Sequence, residues 1–319
     1  MEKFATALKA LGHPDRLRIV ALLSRGELTV SELTQILDLS QPRITQYIKT
    51  LQAAGILQRL KEGSWVFSRL ASHDSAIGTV VRNVLAEIDE ADADISADRR
   101  RLNAVREKRA EAANAFFDSV AGNKENLSAE YLPRGDIETQ MRDIVGVGPF
   151  EYMVDLGTGT GRILKVFAEC VKRGSGIDRN HDMLKVARHN LQKPGYRHLS
   201  VRSGNLTSTP LQTASADLVT LHQVLHFLDD PSEAISEASR LLQNNGQLLI
   251  VDFATHEREE FRNIYAHRRL GFESAEIKTW LDQNGLVLAS ERKVKADDAA
   301  PPVMLWLAQK TEIETRRAG

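Results

Sequence analysis

Asp155 closes an apolar run at residues 153–156, and Gly157, Thr158, Gly159 and Gly161 follow before a helix-like pattern begins. Glycine has no Cβ, so such a loop can turn sharply and let a ligand touch backbone. A strand, a glycine loop and a helix together build a nucleotide-type pocket at the carboxyl end of a parallel sheet. The spacing is G-x-G-x-G and not the dinucleotide G-x-G-x-x-G, which points away from NAD and toward S-adenosylmethionine. Asp178 ends the next strand-like run about 20 residues on, where a carboxylate can accept both ribose hydroxyls.

Methyl transfer from a sulfonium needs an in-line nucleophile held close and, for some acceptors, a base. His222 and His226 follow one strand-like run, and Asp252, His256, Tyr265 and His267 follow the next. His222 is the candidate catalytic base or substrate contact, whereas His226 reads as structural. The run from His222 to His226 lacks the glutamate of H-E-x-x-H and is not a zinc helix. Cys170 is the single cysteine, so neither an internal disulfide nor a thiolate metal site is expected. No metal is assigned.

The elements that must position these groups follow from periodicity. Strand candidates lie at residues 152–156, 174–178, 198–202, 217–221, 247–253, 286–292 and 303–308. Helical patterns at 163–172, 182–191 and 231–242 separate the first five, and a helix at 275–283 precedes a closing pair. This alternation predicts an α/β, doubly wound, Rossmann-like fold with a mostly parallel seven-stranded sheet.

The chain's first seventy or so residues have a different texture. Phe4, Leu8 and Leu11 recur at helical spacing until Gly12, His13 and Pro14 break the helix. Asp15 is read as the cap of a second helix, and Thr29 with Glu32 as a capping box opening a third. Ser40 opens a fourth, with Pro42 tolerated in its first turn. Strand-like runs at 56–60 and 65–70 flank a hairpin signal over Lys61, Glu62, Gly63 and Ser64. This is an α+β winged helix-turn-helix. With Ile44, Ile48 and Leu51 turned inward, Gln41, Arg43, Thr45, Gln46 and Lys49 face outward as candidate base readers. Arg59, Lys61 and Arg69 on the wing are candidates for phosphate. A merely solvated polar face is the alternative.

Residues 75–117 contain no proline and predict one or two long linker helices, with an acidic block (Glu87, Asp89, Glu90, Asp92, Asp94) before a basic one (Arg99, Arg100, Arg101, Arg106, Lys108, Arg109). Opposite blocks suit a solvated face or a helix–helix contact. A multidomain layout follows: a DNA-binding domain at 1–74, dimerisation or linker helices at 75–117, and an α/β domain at 118–319. The 319 residues suit two domains, and a net charge of −1 decides nothing about DNA, which responds to local patches. No apolar run reaches the roughly 20 residues of a membrane span, and the first residues lack a signal-peptide layout. No membrane partner is expected, and the cytoplasm is the natural location.

Two resemblances sharpen this reading. The stretches at 11–19, 27–33 and 40–51 together resemble the ArsR/SmtB repressor family over roughly residues 1–90. The resemblance implies a homodimer on a palindromic double-stranded DNA operator. Metal-sensing members carry cysteines where this chain has Leu28, Thr29, Val30 and Ser31, and His73 and Asp74 lack further histidine partners. Metal sensing is therefore not expected.

The glycine loop, Asp178, and the runs at 180–184, 217–219 and 246–252 resemble class I methyltransferases over about residues 115–310. That resemblance implies Asp155, Gly157, Thr158 and Gly159 around the methionine moiety of S-adenosylmethionine and Asp178 on the ribose. It puts Met183, Asn205 and Leu206 beside adenine, with His222 near the methyl group. Asn205 stands where the family often has aspartate, which keeps an acceptor oxygen and removes a charge. Ordinary core packing is the alternative for Met183 and Leu206.

No Asn/Asp-Pro-Pro-Tyr run follows the fourth strand, which argues against amino methylation of DNA or protein. One cysteine argues against a thiolate-dependent arsenite enzyme. The general resemblance is to small-molecule methyltransferases of the ubiquinone/menaquinone type. Two functions lead, a regulator that also methylates a small-molecule acceptor and a non-catalytic repressor that senses S-adenosylmethionine or S-adenosylhomocysteine, with methylation of a macromolecule a third.

Overall fold

A computed structural model describes residues 2–62, 65–71, 75–122, 136–192, 194–294 and 301–311. The chain divides into two compact units, Met1–Ala112 and Ala113–Gly319.

In the first unit, α1 (Glu2–Leu11), α2 (Pro14–Leu23), α3 (Val30–Leu37) and α4 (Gln41–Ala53) pack around Ile19, Val20, Leu33, Ile36, Ile44 and Leu51, all buried. Strands β1 (Leu28–Thr29), β2 (Leu57–Glu62) and β3 (Trp65–Leu70) form an antiparallel sheet in the order β1-β3-β2. Helices α3 and α4 with this wing make the expected winged helix-turn-helix. The wing's turn residues Gly63 and Ser64, and the pair His73 and Asp74, lie outside the described residues.

One cap is corrected. His13, not Asp15, is the N-cap of α2, its Nδ1 accepting from the Asp15 amide at 3.2 Å. Pro14 at the first helical position needs no N–H partner, which shifts the start by two residues. The Asp15 carboxylate is thereby released for longer-range work. The capping box of α3 is present as expected: Glu32 Oε2 accepts from the Thr29 amide at 2.8 Å, and Thr29 Oγ1 accepts from the Glu32 amide.

The linker consists of two helices, α5 (Ala76–Ala86) and α6 (Ala93–Gly122). The acidic block breaks them. Asp89 accepts from the Ala91 amide at 2.8 Å, and Asp92 accepts from the amides of Asp94 at 2.9 Å and Ile95 at 3.1 Å. Short acids offer the backbone an alternative to the helix ladder and then cap the next helix. The basic block works along α6. Arg101 donates to the Ile36 carbonyl at 3.1 Å, Arg106 to the Arg25 carbonyl and Arg109 to Glu32, while Asp98 takes two bonds from Arg18 at 2.6 and 2.7 Å. Arg101, Arg106 and Arg109 thus make helix–helix contacts, while the acidic block and Arg99, Arg100 and Lys108 form an exposed face.

The second unit is a seven-stranded sheet of β4 (Met153–Leu156), β5 (Gly174–Asp178), β6 (Leu199–Ser203), β7 (Ala216–His222), β8 (Leu242–Phe253), β9 (Leu286–Val294) and β10 (Val303–Lys310). Its order is β6-β5-β4-β7-β8-β10-β9, parallel through the first five and antiparallel at β10. Period-two alternation places Met153, Leu218, Leu249 and Val251 in one apolar layer and Val154, Val219, Leu248 and Ile250 in the other. Both faces are covered, as parallel strands require. The strand order turns back between β4 and β7, which opens a crevice at their carboxyl ends. No described helix is long and apolar enough to cross a membrane.

Candidate functional site

The glycine loop occupies that crevice. Gly157, Gly159 and Gly161 take φ values of +77°, +51° and +74°, a region costly for any residue with a Cβ. A methyl on Gly157 would sit 2.6 Å from Val224, whereas one on Gly159 would meet nothing within 4 Å. The loop is thus packed on one side and open on the other. The amides of Gly157 and Thr158 bind the Ile177 carbonyl at 2.8 and 3.0 Å, and the Gly159 amide binds Asp178 Oδ2 at 2.8 Å. Asp178 Oδ1 takes the Asn180 amide at 2.9 Å. The Arg179 amide is a further backbone donor, so the carboxylate is oriented from three sides. Burial raises the Asp178 pKa, and the backbone donors oppose that rise.

Asp155, at the end of β4, is buried and accepts from Thr220 Oγ1 at 2.6 Å. Its other oxygen is buried without a hydrogen-bond partner. Burial raises its pKa to about 6, against the pull of the Thr220 and neighbouring Thr158 hydroxyls. An orphaned carboxylate oxygen, an open glycine backbone and a pre-oriented second acid fit a cationic, ribose-bearing cofactor.

His222 stands half-buried at the end of β7, the strand beside β4. Burial lowers its pKa to about 4, and the Arg162 guanidinium adds to the fall. It is neutral near pH 7, with one ring nitrogen able to accept a proton. Gln223 follows with φ +53° and both amide atoms buried without a partner, a feature no sequence pattern announced. Thr220, the partner of Asp155, also escaped the sequence reading.

Met183 is buried and its amide caps onto Asn180 Oδ1 at 2.8 Å, while Leu206 is half-buried against the core. Asn205 is exposed, its Oδ1 accepting from Arg179 at 3.0 Å and the Thr207 amide at 3.2 Å. The structure brings Asp155, Gly157, Thr158, Gly159 and Asp178 together, sets His222 on the neighbouring strand and leaves Asn205 beside Arg179. His226 is a buried structural hub. Its Nδ1 lies 2.6 Å from Asp252 Oδ1, its ring stacks on His267 at 3.9 Å, and its carbonyl accepts from the Arg268 and Arg269 amides. Among the described residues no group of three or more His, Cys, Asp or Glu could hold a metal ion.

In the first unit, Gln41, Arg43, Gln46 and Lys49 on α4 and Arg59 and Lys61 on β2 are exposed. Thr45 is half-buried and its hydroxyl donates to the Gln41 carbonyl at 2.8 Å. Arg69 lies 3.6 Å from Glu27.

A winged helix and a doubly wound α/β domain on one chain define a DNA-binding regulator joined to a methyltransferase fold. The chain belongs to the arsR family of bacterial regulatory proteins, whose family model matches residues 13–59, and a methyltransferase-domain model matches residues 154–250. The biofilm growth-associated repressor of Agrobacterium fabrum strain C58 is 41% identical over 80 residues, 24% of this chain and 68% of that protein. The demethylmenaquinone methyltransferase of Renibacterium salmoninarum is 26% identical over 200 residues, 56% of this chain and 82% of that protein. Against the Bacillus subtilis methyltransferase YcgJ, 29% identical over 100 residues, the chain spans only 40% of the relative's length. The crystal structure of the N-methyltransferase NodS from Bradyrhizobium japonicum, in complex with S-adenosyl-L-homocysteine, superposes with a TM-score of 0.52 at 17% identity, covering 63% of this chain and 99% of that one.

Proposed function

We propose that this chain is a homodimeric transcriptional regulator whose second unit binds S-adenosylmethionine and methylates a small molecule. The carrying observation is the clasp of Asp178 on the Gly159 amide beside an orphaned Asp155 oxygen and a neutral His222. When bound, the cofactor supplies an electrophilic sulfonium methyl. Asp155 would then hold the methionine end, Asp178 the ribose, and Met183, Asn205 and Leu206 the adenine. His222 accepts the acceptor's proton on its unprotonated ring nitrogen, for which a neutral imidazole is required. The ubiquinone/menaquinone-type relatives favour a small, apolar acceptor.

We assign DNA contact to Gln41, Arg43, Thr45, Gln46, Lys49, Arg59 and Lys61, and keep the boundaries 1–74, 75–117 and 118–319 for the three functional parts. The presence of an arsR-family module on the same chain favours a second reading, a repressor that senses S-adenosylmethionine or S-adenosylhomocysteine without turnover.

Calorimetry with S-adenosylmethionine, and product formation across a panel of quinol, phenol and amine acceptors, test the enzyme. Asp155→Ala and Gly159→Ala are expected to weaken cofactor binding at least tenfold and abolish product. Wild-type binding without product from any acceptor favours the sensor, and no binding at all removes both readings.

A further inference from the structure

Arg43 lies in the first turn of α4, and two of its donors are already committed. Its Nε donates to Tyr47 Oη at 2.8 Å and its Nη2 to Asp15 Oδ2 at 2.9 Å, yet the side chain remains 52% exposed. A guanidinium carries five N–H groups, so three remain, two on Nη1 and one on Nη2. Those three present an end-on fork, the geometry that meets guanine O6 and N7 in the major groove.

The partners of Arg43 are themselves fixed. Tyr47 is buried, and its hydroxyl donates to Asp15 Oδ2 at 3.0 Å. Because His13 Nδ1 accepts the Asp15 amide, Nε2 is the ring's N–H, and it lies 3.3 Å from Tyr47 Oη. The phenol oxygen therefore donates once and accepts twice, from His13 and Arg43, and its capacity is full. Asp15 is 14% exposed and its second oxygen meets Arg18 Nη1 at 3.4 Å. An acid so close to a DNA surface would repel phosphate, but its ion pair with Arg43 offsets that charge, and Arg18, shared with Asp98, adds to the effect.

We propose that Asp15 and Tyr47 position the Arg43 guanidinium for bidentate reading of one guanine, which makes Asp15 a specificity determinant outside the recognition helix. The proposal rests on the DNA-reading role given above. A free surface arginine must lose rotamer freedom when it binds, whereas a side chain held at two donors has already lost it. The carboxylate thus narrows what Arg43 can contact, and it acts on discrimination more than on total affinity.

The test uses the full chain. Duplexes are enriched from a random-sequence library, and the enriched site and each of its single-base variants are titrated by fluorescence anisotropy. Arg43→Ala is expected to remove discrimination at one G·C pair by about tenfold or more. Asp15→Asn and Tyr47→Phe are expected to lose discrimination at that same pair, with the salt dependence of affinity unchanged. Thermal melts report folding, and Tyr47→Phe, which removes one oxygen, decides the matter if Asp15→Asn does not fold. Full discrimination in Tyr47→Phe alongside a loss in Arg43→Ala would overturn the positioning role. Unaltered discrimination in Arg43→Ala overturns it at the arginine itself. If the wild type enriches no sequence, the DNA reading falls and the proposal with it.

Discussion

Asp155 and His222 carry shifts of opposite consequence for stability. Burial holds the His222 pKa at about 4 against an ordinary 6.5. Below pH 6.5 the unfolded chain takes up a proton that the folded chain refuses. The stability His222 contributes is therefore complete above pH 6.5 and lost as pH falls through about 4. Burial raises Asp155 to about 6 against 3.8, so its contribution is complete below 3.8 and lost as pH rises through about 6. Between pH 5 and 7 the two therefore work against each other. Urea unfolding at these two pH values separates them. Relative to wild type, His222→Gln should gain about 1–2 kcal/mol more at pH 5 than at pH 7, and Asp155→Asn about 1 kcal/mol more at pH 7 than at pH 5. Parallel pH profiles for all three proteins would show that neither group titrates out of range. The Asp155 shift also sets a direction for binding. A cationic cofactor prefers the carboxylate, so affinity should weaken as pH falls below about 6.

Among the elements, α6 is held by ion pairs of very different quality from the surface ones. Asp98 is 3% exposed and takes two bonds from Arg18, whose side chain is 14% exposed. Removing the acid leaves a guanidinium that has lost water without a full set of acceptors. Asp98→Ala should cost about 2–4 kcal/mol in urea unfolding. Lys172 and Glu151, 63% and 69% exposed, provide the control, and Glu151→Ala should leave the midpoint unchanged. Equal small effects in both variants would mean that α6 is not fastened through Asp98. Much at this scale was legible in the sequence. Local signals carry helix and strand order: glycine and proline breaks, the Thr29–Glu32 capping box, and the short apolar runs of β4, β7 and β8. The glycine loop and Asp178 were legible because the strand–loop–helix that builds them is contiguous. Hidden features lie between distant residues. Tyr47 meets Asp15 across 32 positions and His226 meets Asp252 across 26, and nothing in either local pattern names the partner. The start of α2 was misplaced because Asp15 looks like a cap until Pro14 fixes the turn ahead of it. The acidic block read as a solvated face or a helix–helix contact, and its role as helix breaker depends on side chains folding back on amides two and three residues away.

For the whole molecule, the two readings of the second unit differ in one measurable quantity. If the chain is a sensor, its cofactor or demethylated product binds DNA-competent and incompetent states with different affinity, and the difference is a coupling free energy. Helix α6 begins fastened to the winged helix and runs past Ala112, where the first compact unit ends, so it is the covalent route for any such coupling. Its contacts with Arg18 and Glu32 reach the helices that carry the recognition element. We expect S-adenosylmethionine or S-adenosylhomocysteine to change affinity for an enriched duplex by about 5-fold or more, within the usual range of such couplings. Linkage requires that saturating duplex change the ligand's own affinity by the same factor. Anisotropy of labelled DNA with and without ligand, and calorimetry of ligand with and without DNA, give the two ratios independently. Equal ratios different from one establish coupling, and Asp98→Asn should bring both toward one. Ratios of one for both ligands sink the sensor reading and leave a regulator that carries its enzyme as a separate passenger.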